Sequence, residues 1–150
     1  MKKVLLALLF LVCFAATASA RARMLRITNY TSCTTYVQIR GADMCVCTPM
    51  YLSGVMAIAP GSSTVYSTSA MFPGFPAAPK AIIGAIVTSY PGCTGGGATT
   101  GMVGESTCGF PNYFGYITML PGCGYCTQLG ATWVDSPMPI CSGMAELIFR

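Results

Sequence analysis

The sequence predicts an all-β protein, a disulfide-stapled antiparallel β-sandwich of about seven or eight strands, after removal of an N-terminal signal peptide. Short apolar runs recur about every 8–12 residues, with Gly, Pro, Asn and Ser between them. No segment after residue 20 combines a sustained helical period with helix caps. The cysteines that remain after the signal peptide are eight, an even number that suits disulfide pairing.

The first 20 residues have the pattern of a secretory signal peptide. Lys2 and Lys3 form a basic start, residues 4–16 are apolar, and small residues precede a predicted cleavage site after Ala20. The double lysine and the compact length are typical of bacterial signal peptides. We therefore expect residues 21–150 to form one secreted domain, extracellular or periplasmic.

Cysteine usage indicates an oxidising compartment. Removal of residues 1–20 takes Cys13 from the nine cysteines and leaves eight, enough for up to four disulfides. Eight cysteines allow 105 pairings, and the sequence does not choose among them. The candidates are Cys33, Cys45, Cys47, Cys93, Cys108, Cys123, Cys126 and Cys141.

Charge and hydropathy exclude several classes of partner. Residues 21–150 carry six basic and four acidic side chains, so the net charge of +2 is too small for a nucleic-acid-binding surface. No second run of eighteen apolar residues follows the signal peptide, so we expect no membrane span in the mature chain.

The predicted strands are arranged around residues 81–90, an apolar run rich in Ile and Val that ends at Pro91-Gly92. This composition is typical of a strand buried on both faces. Further strands are predicted at 24–30, 34–40, 55–59, 64–68, 113–120, 129–134 and 145–149, with 55–59 and 64–68 as a hairpin. Residues 70–80 and 94–107 are predicted loops, and Trp133 is expected in the core.

One cysteine pair has the spacing of a redox motif. The tetrad Cys123-Gly124-Tyr125-Cys126 resembles the active site of thioredoxin-fold disulfide isomerases, which implies a disulfide oxidoreductase. The chain lacks the alternation of strands and helices of that fold, and an even number of secreted cysteines favours structural disulfides. The redox hypothesis is therefore the second alternative.

Other chemistry lacks the side chains that it needs. The chain contains no histidine, which excludes Ser-His-Asp and Cys-His catalysis and removes the usual partner of cysteine in zinc sites. The four acidic residues have no glycosidase signature, and the methionines are scattered. We expect no catalytic residue, no metal and no cofactor.

Two non-catalytic functions remain. The leading hypothesis is a structural protein that assembles with itself, as a filament or surface layer, through terminal-strand or sheet-edge pairing, with Leu25 and Ile27 on the candidate assembly strand. The alternative is a monomeric module that binds a glycan or an extracellular protein through aromatic, proline-rich loops. The candidate loop residues are Phe72, Phe75, Phe110, Tyr113 and Phe114.

Overall fold

The computed structural model describes residues 22–43, 46–93, 99–137 and 143–150. It contains ten strands: β1 (Ala22–Asn29), β2 (Thr35–Ala42), β3 (Tyr51–Leu52), β4 (Met56–Ile58), β5 (Ser63–Tyr66), β6 (Ala81–Thr88), β7 (Thr100–Gly104), β8 (Tyr113–Met119), β9 (Tyr125–Val134) and β10 (Gly143–Phe149). Two single-turn 3-10 helices, Ser69–Met71 and Ser106–Cys108, lie in the connections. The predicted signal peptide, residues 1–20, lies outside the described residues.

The strands form two layers. Layer A has the order β5-β1-β10-β9-β8. In layer B, β3 and β4 both pair with one edge of β2, and β6 and then β7 follow on its other side. One residue pair, Ala22 with Ile82, links β1 to β6 and joins the two layers at a corner.

Side chains from both layers meet in one apolar cluster. Leu25, Trp133 and Leu147 come from layer A, while Val37 and Val87 come from layer B, and all of them are buried. On β10, and on β9 from Leu129 to Trp133, the residues at alternate positions are buried, as expected for strands with one face on a core. By contrast, β6 is buried on both faces over most of its length, as its Ile- and Val-rich sequence predicts.

The all-β fold is confirmed, and its closure into a sandwich stays a prediction. All eight predicted strands are present, and Trp133 is in the core. The prediction that 94–107 is one loop is wrong for residues 100–104, which form β7 along β6. Gly101 and Gly104 kept the sequence from predicting this strand, because glycine normally weakens a strand.

Two expectations about pairing are also wrong. The strands β4 and β5 are not hairpin partners, since β4 pairs with β2 in layer B and β5 pairs with β1 in layer A. The sheet is not purely antiparallel, because β1 and β10 pair in parallel along their whole lengths. A parallel pair requires a long connection between its strands, and here most of the chain supplies it.

Candidate functional site

The described cysteines form three disulfides: Cys33 with Cys126, Cys47 with Cys108, and Cys93 with Cys123. Cys45 and Cys141 lie outside the described residues. The two cysteines of the predicted redox motif therefore belong to different disulfides. An exchanging disulfide between Cys123 and Cys126, which the oxidoreductase hypothesis requires, is not the bond that the fold makes.

The candidate assembly strand is an interior strand. Leu25 and Ile27 are fully buried, and β1 has β10 on one side and β5 on the other over most of its length. Asn29 fixes its end, because its amide donates to three backbone carbonyls, those of Cys33, Ile58 and Ala59. Exchange of β1 between copies would break all of these contacts.

Most of the aromatic residues predicted to bind a ligand have rings that pack over glycines in the sheets. An added Cβ would come within 2.4 Å of the Phe75 ring at Gly41 and within 2.2 Å of the Phe114 ring at Gly101. These rings occupy the space that a larger side chain would take, and they shield the backbone there. Both are therefore explained by packing.

Two more of these aromatics are also packed within the fold. Phe72 is buried in the main core. Phe110 lies against Gly104 on the outer face of layer B, where the guanidinium of Arg40 is 5.8 Å from the centre of its ring. The disulfide of Cys108 holds this connection in place. The outer face of layer B is thus partly covered by residues of the chain itself.

Tyr113 is the exception among the five. Its ring lies across the cross-strand glycine pair Gly115 and Gly130 on the outer face of layer A. Even so, 59% of the residue remains exposed, so one side of the ring faces solvent. Tyr113 therefore both shields the glycines and offers a flat aromatic surface.

A second exposed tyrosine lies on the same face. The guanidinium of Arg150 lies 5.7 Å from the centre of the Tyr30 ring, and Tyr30 is 68% exposed. The backbone of Arg150 exchanges hydrogen bonds of 2.7 and 3.0 Å with Gly130. Because Phe149 points into the core, strand alternation places the Arg150 side chain on the outer face.

We name Tyr30, Arg150, Gly130, Gly115 and the covering ring of Tyr113 the tyrosine–arginine row. It crosses layer A from β1 to β8. Tyr30 and Arg150 are not among the predicted site residues, because the parallel pairing of β1 with β10 brings them together and the sequence does not reveal it. The alternation of β10 could have indicated that Arg150 points outward, but not which residue it meets.

A buried carboxyl group lies elsewhere, where β7 ends. Glu105 is fully buried, and neither of its carboxyl oxygens has a partner at ordinary hydrogen-bond length among the described residues. Burial and, secondly, the Asp135 carboxylate raise the pKa of Glu105 to about 8. The Trp133 indole and the backbone of Ser136 favour the ionised form but do not offset burial. Glu105 is therefore a neutral acid at pH 7.

Asp135 is held beside it by the short 3-10 helix that follows Glu105. The Asp135 carboxylate accepts hydrogen bonds from the backbone N–H of Ser106, at 3.2 Å, and from the Ser106 hydroxyl. This pair of acids resembles a general acid–base arrangement in chemistry, but full burial of Glu105 keeps a substrate from reaching it.

The described residues contain no group of three potential metal ligands. They also contain no helix long and apolar enough to cross a membrane. No family model matches the chain, and no curated protein or solved structure is found to be similar to it.

Proposed function

We propose that the protein is a secreted, non-catalytic module that binds a carbohydrate chain on the outer face of layer A. The observation that carries this proposal is the tyrosine–arginine row, in which two exposed tyrosines flank an arginine. The C–H faces of sugar rings pack on aromatic rings, and the tyrosine hydroxyls are available for hydrogen bonds. A face built on strands is flat and rigid, which suits an extended polymer.

The surroundings of the row support this function. Thr132 and Ser63 add hydroxyl groups to the same face, where Tyr113 pairs with Thr132 across the strands. The three disulfides indicate an oxidising compartment, where polysaccharides are common binding partners. Secretion through the signal peptide at residues 1–20 belongs to this proposal.

Binding of the oxidised 21–150 protein to a panel of soluble polysaccharides, by affinity electrophoresis and calorimetry, tests the function. Tyr30→Ala removes a ring that packs mainly on Arg150, so it should weaken binding about tenfold while the fold persists. Tyr125→Ala is the matched control, because Tyr125 is similarly exposed, at 64%, at the far end of β9. Equal binding by both variants would contradict the proposal.

Self-assembly by sheet-edge pairing is the second candidate. Leu52 and Val55 are exposed where β3 and β4 form the edge of layer B, and Met50 is exposed beside them. An apolar edge of this kind can pair with a second copy. Sedimentation velocity and electron microscopy should then show large particles that Leu52→Lys abolishes. A monomer at all concentrations would exclude this candidate.

A further inference from the structure

Two of the five described basic side chains form ion pairs, and Arg150 is one of the three that do not. Arg26 pairs with Glu146 at 2.8 Å, and Lys80 pairs with Asp43 at 2.8 Å. Arg150 has an aromatic contact with Tyr30, and no ion pair reaches it among the described residues. A carboxylate could therefore approach this guanidinium without displacing an existing partner.

The electrostatics of the outer face of layer A favour an anion at this position. Its other described charges, Arg26 and Glu146, neutralise each other in a separate row of the sheet. The tyrosine–arginine row contains no acidic side chain, and its basic side chain is that of Arg150. The planar guanidinium presents a fork of N–H donors that binds a carboxylate through two parallel hydrogen bonds.

Strand spacing sets the geometry of the row. Arg150 directly follows β10, Tyr30 directly follows the neighbouring strand β1, and the Tyr113 ring lies over Gly130 on the other neighbour, β9. Adjacent strands are about 4.8 Å apart, so the backbones at Tyr30 and at Gly130, which the Tyr113 ring covers, are separated by roughly 10 Å. Successive sugars can lie on the rings while a carboxylate carried by one of them meets Arg150.

We propose that Arg150, flanked by Tyr30 and Tyr113, binds the carboxylate of a polysaccharide that contains uronic acids. This inference rests on the proposed carbohydrate-binding function and adds the chemical class of the ligand. A nucleic acid fits less well, because one unpaired arginine neutralises too few phosphates for stable binding.

The experiment compares polymers with and without carboxylates. The oxidised protein is titrated with polygalacturonate, with its methyl ester, which has the same sugars without the charge, and with alginate, hyaluronate and dextran. Arg150→Gln removes the charge, and Arg23→Gln is the matched control, an exposed arginine near the opposite end of β1.

We expect at least one uronate polymer to bind more tightly than dextran. Arg150→Gln should weaken that binding roughly tenfold to a hundredfold, as loss of a charge-assisted pair does, and Arg23→Gln should change it by less than about twofold. Arg150→Lys should restore part of the affinity, because it keeps the charge and loses the fork. If polygalacturonate is the bound polymer, its methyl ester should bind as weakly as dextran.

Two results would overturn the inference, and they are distinguishable. Neutral and acidic polymers could bind equally, with Tyr30→Ala defective and Arg150→Gln normal; carbohydrate binding would then stand and the acidic ligand would be wrong. Alternatively, no polymer could bind, in which case the proposed function fails with the inference. Circular dichroism of each variant at the same concentration verifies that the fold is retained.

Discussion

Glu105 should make the protein less stable as the pH rises through neutrality. The unfolded chain ionises this residue near 4.5, whereas the folded protein keeps its proton until about pH 8. Between these values unfolding releases a proton, so the free energy of unfolding falls as pH increases. The stabilisation is fully present below pH 4.5 and is lost as pH rises through 8.

The size of the pH effect on stability follows from the change in the pKa of Glu105. Each pKa unit corresponds to about 1.4 kcal/mol, so a displacement from 4.5 to about 8 amounts to on the order of 5 kcal/mol of pH-dependent stability. Glu105→Gln keeps the shape of the side chain and removes the titration. The variant should therefore lose most of this pH dependence and be the more stable protein at pH 9.

Urea denaturation midpoints at intervals between pH 4 and 9, without reductant, measure the prediction. The wild-type slope should approach a loss of about 1.4 kcal/mol per pH unit near pH 6, and Glu105→Gln should be nearly flat. Asp135→Asn should end the fall in stability at a lower pH than in the wild type, because the Asp135 carboxylate contributes to the rise in the Glu105 pKa. Glu146→Gln, at a half-buried carboxylate that pairs with Arg26, is the control. Parallel profiles for wild type and Glu105→Gln would refute the account of Glu105.

Three further predictions concern stability. Replacing Cys33 and Cys126 together by serine opens a disulfide with a sequence separation of 93. The free energy of unfolding should fall by roughly 4.5 kcal/mol, which urea denaturation would show as a lower midpoint. An unchanged midpoint would contradict this prediction. Asn29→Asp replaces the buried amide donor with a carboxylate that faces three carbonyls. It should lower the free energy of unfolding in urea by roughly 3–5 kcal/mol near neutral pH and by less in acid. A loss of stability that does not depend on pH would contradict this reason. Gly104→Ala should lower the melting temperature strongly, because the new Cβ would meet backbone atoms of β6 at 2.5 and 2.8 Å. Gly115→Ala is the control and should have little effect, because its nearest contact is at 3.5 Å. Equal shifts in melting temperature for the two variants would show that the close approach at Gly104 does not matter.

The sequence predicts where the strands lie along the chain better than it predicts which strands pair with each other. Alternation identified β1 and β10, because each has one face on the core. Their parallel pairing joins Arg26 to Glu146, which are 120 residues apart, and no local pattern encodes such a contact. The candidate site depends on this pairing, so it could not be found from the sequence.

Glycines caused the clearest error in the prediction of the fold. Gly101 and Gly104 made β7 resemble a flexible loop, yet the rings of Phe114 and Phe110 lie on these two positions. Each glycine in β7 is explained by an aromatic residue from a later segment. The sequence in turn predicts a binding role for these aromatic residues, because it does not show that their rings pack on glycines.

The disulfide between Cys33 and Cys126 has a consequence for proteolysis. A protease that cuts the backbone once anywhere from residue 34 to residue 125 leaves two pieces that this bond still joins. Such a nicked protein would migrate as a single band without reductant and as two fragments with it. The exposed loops of this protein can therefore be cleaved while both parts of the tyrosine–arginine row stay attached to one molecule.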